Sequence, residues 1–102
     1  MKITKVEAIP LGYPLNEPLR WGQMVVNVKG GIIVRVHTDE GIVGIGEAGL
    51  SAAYFKTVGP IVNEILGPMI IGENPLMINA LWEKMFVNTH MWGRRGVETY
   101  AL

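Results

Sequence analysis

With 102 residues, nine basic and nine acidic side chains and no cysteine, the chain is at most one domain, carries no formal net charge, and has no disulfide, thiol nucleophile or thiolate metal site. It lacks the basic footprint of a nucleic-acid binder, and no charged tail invites a membrane or a polyanion. Charged residues make up only 18%, against roughly 25% in a usual soluble domain; this is either an ordinary domain's chance composition or a surface partly covered by another domain or subunit.

The opening stretch MKITKVEAIPLGYPL alternates instead of building the apolar core of a signal peptide, and no run of about 18 apolar residues follows. We therefore expect neither a targeting nor a transmembrane segment, and the absence of cysteine favours the cytoplasm. Alternation from Ile3 predicts a first strand ending near Leu11, with Pro10 marking an edge or a boundary. From Gly12 to Asn27 the signals change to those of a long loop, with Pro14, Pro18 and the run Arg20-Trp21-Gly22. Trp21 either staples this loop to the domain, or belongs to a mobile flap in which Arg20 meets an anionic group and Trp21 closes over it.

A second strand resumes near Val25, and Lys29-Gly30-Gly31 suggests a bulge within it. Residues 32 to 50, IIVRVHTDEGIVGIGEAGL, then read as an antiparallel hairpin. Thr38 and Asp39 can bond back to nearby backbone in its turn, and Gly41 supplies the left-handed residue. Ile32, Val34 and Val36 share one face of the first arm, and Ile33, Arg35 and His37 the other. On the second arm Ile42, Gly44, Gly46 and Ala48 form a nearly smooth face, which implies a bend or the close approach of another segment. Glu47, on the opposite face, is either solvent-facing or accepts hydrogen bonds from a partner segment.

Beyond Ser51 the apolar spacing becomes helical, and the stronger helix is expected from Pro60 to Leu66, stopped by Gly67-Pro68. Asn74 and Pro75 offer the N-cap and first residue of another helix. Its stripe Ile78, Leu81, Trp82 and Met85 is expected to face the core, Trp82 included. This helix should give way around Asn88-Thr89. After the connection His90 to Gly96, residues 97–102 read as a helix just beginning, which suggests a domain fragment. Arg94-Arg95 could hold a phosphate or carboxylate at that helix's start, but a salt-bridged interdomain contact is the preferred reading.

The chemistry-bearing residues do not assemble into a site on spacing alone. His37 and His90 lie 53 positions apart without a metal-ligand pattern, and the acidic residues are scattered. The glycines from Gly41 to Gly49 belong to a strand pattern and not to a phosphate-binding loop.

Taken together, the strand with its Pro-rich continuation, TDEGIVGIGEAG at 38–49, Gly72-Glu73-Asn74-Pro75 before a helix, and Gly93-Arg94-Arg95-Gly96 before the last one resemble the N-terminal capping region of the mandelate racemase and muconate lactonising enzyme family, within the enolase superfamily. The resemblance covers essentially the whole chain; Ile45 stands where many relatives carry a tryptophan between the two glycines, which removes one bulky contact. It implies an α+β fold, a three-stranded antiparallel meander followed by packed helices, with residues 1–92 as the capping domain and 93–102 leading to a C-terminal modified TIM barrel. In such enzymes Mg²⁺ bound by carboxylates at the barrel's strand ends, with acid/base residues of the barrel, serves removal of the proton alpha to a substrate carboxylate. None of those catalytic or metal-binding roles falls on a residue here, so the isolated chain is expected to be inactive.

The resemblance further implies that the cap covers the barrel mouth with two loops, here Gly12 to Asn27 and about Leu50 to Gly59. Arg20, Trp21 and Tyr54 are the expected substrate-facing residues, and Glu47, Trp92, Arg94 and Arg95 candidate contacts to the barrel. The parent enzyme is expected to be a homo-oligomeric acid-sugar dehydratase acting on a small carboxylate or sugar acid, or else a racemase or cycloisomerase. A stand-alone protein-interaction module using its apolar sheet face is the alternative of a different class.

Overall fold

The computed structural model describes residues 1–49, 55–93 and 96–102. Three antiparallel strands, β1 (Ile3–Trp21), β2 (Met24–Thr38) and β3 (Val43–Ala48), form a meander in the order β1-β2-β3. Helices α1 (Phe55–Pro60), α2 (Gly67–Ile70), α3 (Ile78–Gly93) and α4 (Val97–Ala101) follow, with a π-helical stretch, Ile61–Leu66, joining α1 to α2.

The hairpin of residues 32–48 forms as its alternation requires. Val34 faces Gly46 and Val36 faces Gly44 across the ladder. The Thr38 hydroxyl donates to the Ile42 carbonyl at 2.9 Å and accepts from the Ile42 N–H at 3.2 Å, while Gly41 takes φ 79°. Asp39 works differently from expectation: its carboxylate accepts the Lys2 N–H at 2.8 Å, tying the turn to the start of β1. Pro10 fits a strand at the sheet's edge, where a missing N–H costs no ladder bond. No register shift occurs at Gly30-Gly31; Leu11 faces Gly31 and Gly12 faces Gly30 in an unbroken ladder.

The helices pack on one face of the sheet. Val58, Val62, Leu66 and Ile70, spaced strictly by four, are all buried. An α-helix of about 3.6 residues per turn would rotate such a stripe off the core, and the wider i→i+5 turn brings it back. That widening also explains why Gly67-Pro68 does not stop the helix. Pro68 has no N–H to give and its ring needs room over the preceding turn, and the Gly67 N–H reaches the Val62 carbonyl instead. Gly67 is also a point of close approach, because a Cβ there would lie 2.8 Å from the Val62 carbonyl oxygen and 3.1 Å from Val6 Cβ. One turn earlier, Asn63 accepts the Ala8 N–H at 2.8 Å and donates to the Ala8 carbonyl at 3.3 Å, closing the free edge of β1 with a side chain. Ala8, Ile32 and Ala48 complete this core with Ala101 of α4, while Ile3, Ile70 and Leu81 form a second cluster.

Three helix expectations are corrected. Asn74 caps a turn and not the helix: its side chain accepts the Leu76 N–H, and α3 begins at Ile78 after Met77. Nor does α3 give way at Asn88-Thr89, because both side chains bond back to the carbonyls four residues earlier and the helix runs on to Gly93. Trp82 is not a core residue; it is 44% exposed and stacks on Phe86 at 4.8 Å, while Leu81 takes the buried place.

On the sheet's other face, Glu7 gathers three basic side chains from two strands: Lys5 at 2.6 Å, His37 at 3.0 Å and Arg35 at 3.5 Å. The Lys5 ammonium, then His37, holds its carboxyl down at about 2, against 4.5 for an ordinary glutamate.

Two outcomes follow from this packing. Gly67→Ala should destabilise the chain by about 1–3 kcal/mol in urea unfolding; the gain of roughly 1 kcal/mol in helix propensity is smaller than an overlap with backbone, so a stabilised variant would contradict the close packing. A carboxyl held below its unfolded value adds stability above pH ~4.5 that is lost as pH falls towards 2. The urea midpoint of wild type should therefore exceed that of Glu7→Gln at pH 6, with a gap that narrows steadily as pH falls from 4.5 towards 2 and is smaller at high salt; parallel pH profiles would rule this ion cluster out.

Candidate functional site

The region expected to be a loop is a two-stranded ribbon. After Pro14 faces Val28, four residues, Leu15–Pro18, bulge out opposite Asn27 before pairing resumes with Leu19 facing Val26. Pro14 and Pro18 bracket that excursion, and neither can donate to a ladder. Arg20 then faces Val25 and Trp21 faces Met24. Gly22 turns the chain at φ 60°, with a glycine at the first central position of a two-residue loop, the type II′ pattern. Sequence reading missed this ribbon because prolines and glycine, evenly spread, read as loop punctuation.

The ribbon stretches the molecule to 45 × 32 × 19 Å with a radius of gyration of 15.2 Å, against about 13 Å for a compact chain of this length. Its tip presents Trp21, 53% exposed, beside Met24, 49% exposed. Arg20 is exposed and makes no ion pair among the described residues. Trp21 therefore does not staple the segment to the domain. An indole and an unpaired guanidinium on neighbouring residues of a stiff projection can stack on a ligand and grip an anionic group.

The remaining candidates do not converge with this pair. Glu47 is exposed on the outer face of β3, facing Ile33 across the ladder. Its carboxylate lies over Gly31, where a Cβ would stand 3.1 Å from Oε1, and it borders a shallow concavity with Leu11, Tyr13, Lys29 and Ile33. Trp92 lies in the last turn of α3. Tyr54, Arg94 and Arg95 lie outside the described residues, as does the first half of the second expected loop, 50–54; its second half is helix from Phe55. Among the described residues no three His, Asp or Glu side chains converge, so a divalent cation would find no ligand set on them. No helix among them is long and apolar enough to cross a membrane.

The chain resembles known proteins along nearly its whole length. It is 31% identical over 91 residues to a chloromuconate cycloisomerase of Cupriavidus pinatubonensis, covering 83% of this chain and 24% of that enzyme. To a D-galactonate dehydratase of Cronobacter sakazakii it is 36% identical over 86 residues, 84% of this chain and 18% of the relative. A crystal structure of a mandelate racemase-like protein from Bordetella bronchiseptica RB50 superposes with a TM-score of 0.86 at 33% identity, covering 95% of this chain and 26% of that one. The chain thus spans about a quarter or less of the relatives it matches. Residues 3–101 match the family model of the mandelate racemase / muconate lactonizing enzyme N-terminal domain, and the chain belongs to that family.

Proposed function

We propose that this chain is the substrate-covering domain of a Mg²⁺-dependent enolase-superfamily enzyme, an acid-sugar dehydratase, whose C-terminal barrel carries the metal and the acid/base residues. The observation that carries this reading is the β1–β2 ribbon, which holds an exposed Trp21 and an unpaired Arg20 well away from the core. Similarity to a D-galactonate dehydratase over 84% of the chain supports the reaction class. The similarity to a chloromuconate cycloisomerase keeps a cycloisomerase or racemase as the second reading.

On this reading the domain supplies recognition and exclusion of water and the barrel supplies chemistry. Arg20 contacts a carboxylate or hydroxyl of the sugar acid, Trp21 covers it, and Tyr54 adds a contact from the second loop. Glu47, Trp92, Arg94 and Arg95 are the proposed contacts to the barrel of what is, on this reading, a homo-oligomeric enzyme. The reaction removes the proton alpha to the carboxylate and expels the neighbouring hydroxyl as water, leaving an enol that tautomerises to a 2-keto-3-deoxy acid.

Full-length protein screened against sugar acids with and without Mg²⁺ should form a 2-keto-3-deoxy acid only with the metal, and the 102-residue chain alone should form none. Arg20→Ala should lower kcat/KM by about 10- to 100-fold, the worth of one charge-assisted hydrogen bond. Lactone formation or epimerisation in the same screen would replace the dehydratase with the second reading.

A further inference from the structure

Two concave surfaces of the sheet are uncovered. On the inner face an apolar groove of about 370 Å³ lies between Val36 and Ile42 and the α3 residues Leu81 and Trp82, and nothing in it selects an occupant. On the outer face a hollow of about 430 Å³ sits at the root of the ribbon and carries charge, bordered by Glu47 and Lys29 together with Leu11, Tyr13 and Ile33. Neither Glu47 nor Lys29 forms an ion pair among the described residues.

The sheet changes construction at this root. β3 ends at Ala48 opposite Ile32, so from Leu11 and Gly31 outward only two strands remain. In the next pair Gly12 faces Gly30, and two facing glycines make no cross-strand side-chain contact. Neither of the two apolar clusters that tie the sheet to the helices includes a residue from 11 to 31. The third strand, the helix packing and the cross-strand side chains thus all stop within two steps of the ladder, which concentrates bending there. From Gly31 to Met24 the arm is roughly 23 Å long at about 3.3 Å per residue, so a rotation of about 20° at the root carries Arg20 and Trp21 through about 8 Å. Glu47 already leans over this root, its Oε1 3.1 Å from where a Cβ on Gly31 would stand. Lys29 is two residues further along the same face of β2.

We propose that Glu47 and Lys29 are positioning residues for the ribbon, forming an ion pair when it bends towards the outer face at Gly12 and Gly30 and separating when it straightens. Bending closes the hollow, bringing Lys29 to Glu47 across Gly31 and covering Tyr13 and Leu11, now 58% and 54% exposed. An exposed ion pair shifts an equilibrium by up to about fivefold. That is enough to choose between two ribbon positions only where little else holds the ribbon, which is the condition at this root. The bending stands on the ladder alone, whereas its effect on turnover rests on the reading of the ribbon as a substrate cover.

The chain has no cysteine, so spin labels on Gln23→Cys and Glu64→Cys report the distance from the ribbon's turn to the helical layer. Two distances, roughly 5–8 Å apart, are expected. Glu47→Gln and Lys29→Gln should each lower the population at one of them about three- to fivefold, as should salt at about 1 M; exchanging the charges, Glu47→Lys with Lys29→Glu, should restore it. A single distance in the unsubstituted pair of labels, or two that ignore these changes, would overturn the proposal, and so would a charge exchange that restores nothing. In the enzyme of the proposed function, each Gln variant should lower kcat/KM about three- to fivefold and the double variant no further. Effects that multiply would give Glu47 and Lys29 separate partners and overturn the pairing. Distances that respond as expected in a protein without sugar-acid dehydration would remove the proposed function and keep this inference; dehydration with one unchanging distance would do the reverse.

Discussion

The fold hangs on one close contact, where the long helical stretch from α1 to α2 meets the edge strand β1. Asn63 pairs with both backbone groups of Ala8, and Gly67 lets the helix backbone come down on Val6. Each bond is worth only about 1 kcal/mol net, but leaving either Ala8 group unpaired against the helix would cost more than that. The π-helical turn makes the contact possible, since it keeps Val58, Val62, Leu66 and Ile70 on one face through a segment with Pro60 and Pro68 in it. Strand and helix are locked together at the near end of β1, so its far end can project without a core of its own.

That division has a functional consequence. The ribbon beyond Gly12 exposes Tyr13, Leu19, Trp21 and Met24, apolar side chains that a free-standing domain would gain by covering. Stiffness comes from the ladder with β2, and direction from the excursion at Leu15–Pro18. The proposed capping role would use such a tip, anchored at its root and offering an aromatic surface beside a cation. The uncovered inner face beside α3 is the same kind of statement at the other end of the molecule. Both agree with a charge content of only 18%, and of the two explanations for that composition, coverage by other parts of a larger protein is the one these surfaces support.

Much of the scaffold could be read from residues alone, because the β2–β3 turn combines period-two alternation with Thr38 and Gly41, local signals that need no tertiary context. The family resemblance carried the architecture as a whole. What could not be read depended on contacts between distant segments. Pro14 and Pro18 punctuate a ribbon because β2 pairs with whatever lies on either side of them. Gly67-Pro68 looked like a helix stop because nothing local announces a π turn. The stripe through Ile78 and Trp82 has core periodicity but no partner within the described residues, so periodicity revealed that the face is apolar without revealing what covers it. The ion cluster at Glu7 was half visible: Arg35 and His37 clearly shared a face, but only the register of β1 against β2 brings Glu7 and Lys5 between them. Of the candidate site, Arg20 and Trp21 were proposed as residues, and their setting was mistaken for a loop.

The most direct measurement is a crystal structure of the full-length protein with a sugar acid and Mg²⁺ bound. If this domain is the cap, the indole of Trp21 should lie within van der Waals contact of the ligand, about 4 Å, and the Arg20 guanidinium within hydrogen-bond reach of its oxygens, about 3 Å. A ribbon tip directed into solvent or buried against a distant surface, with the ligand enclosed by the barrel alone, would contradict it.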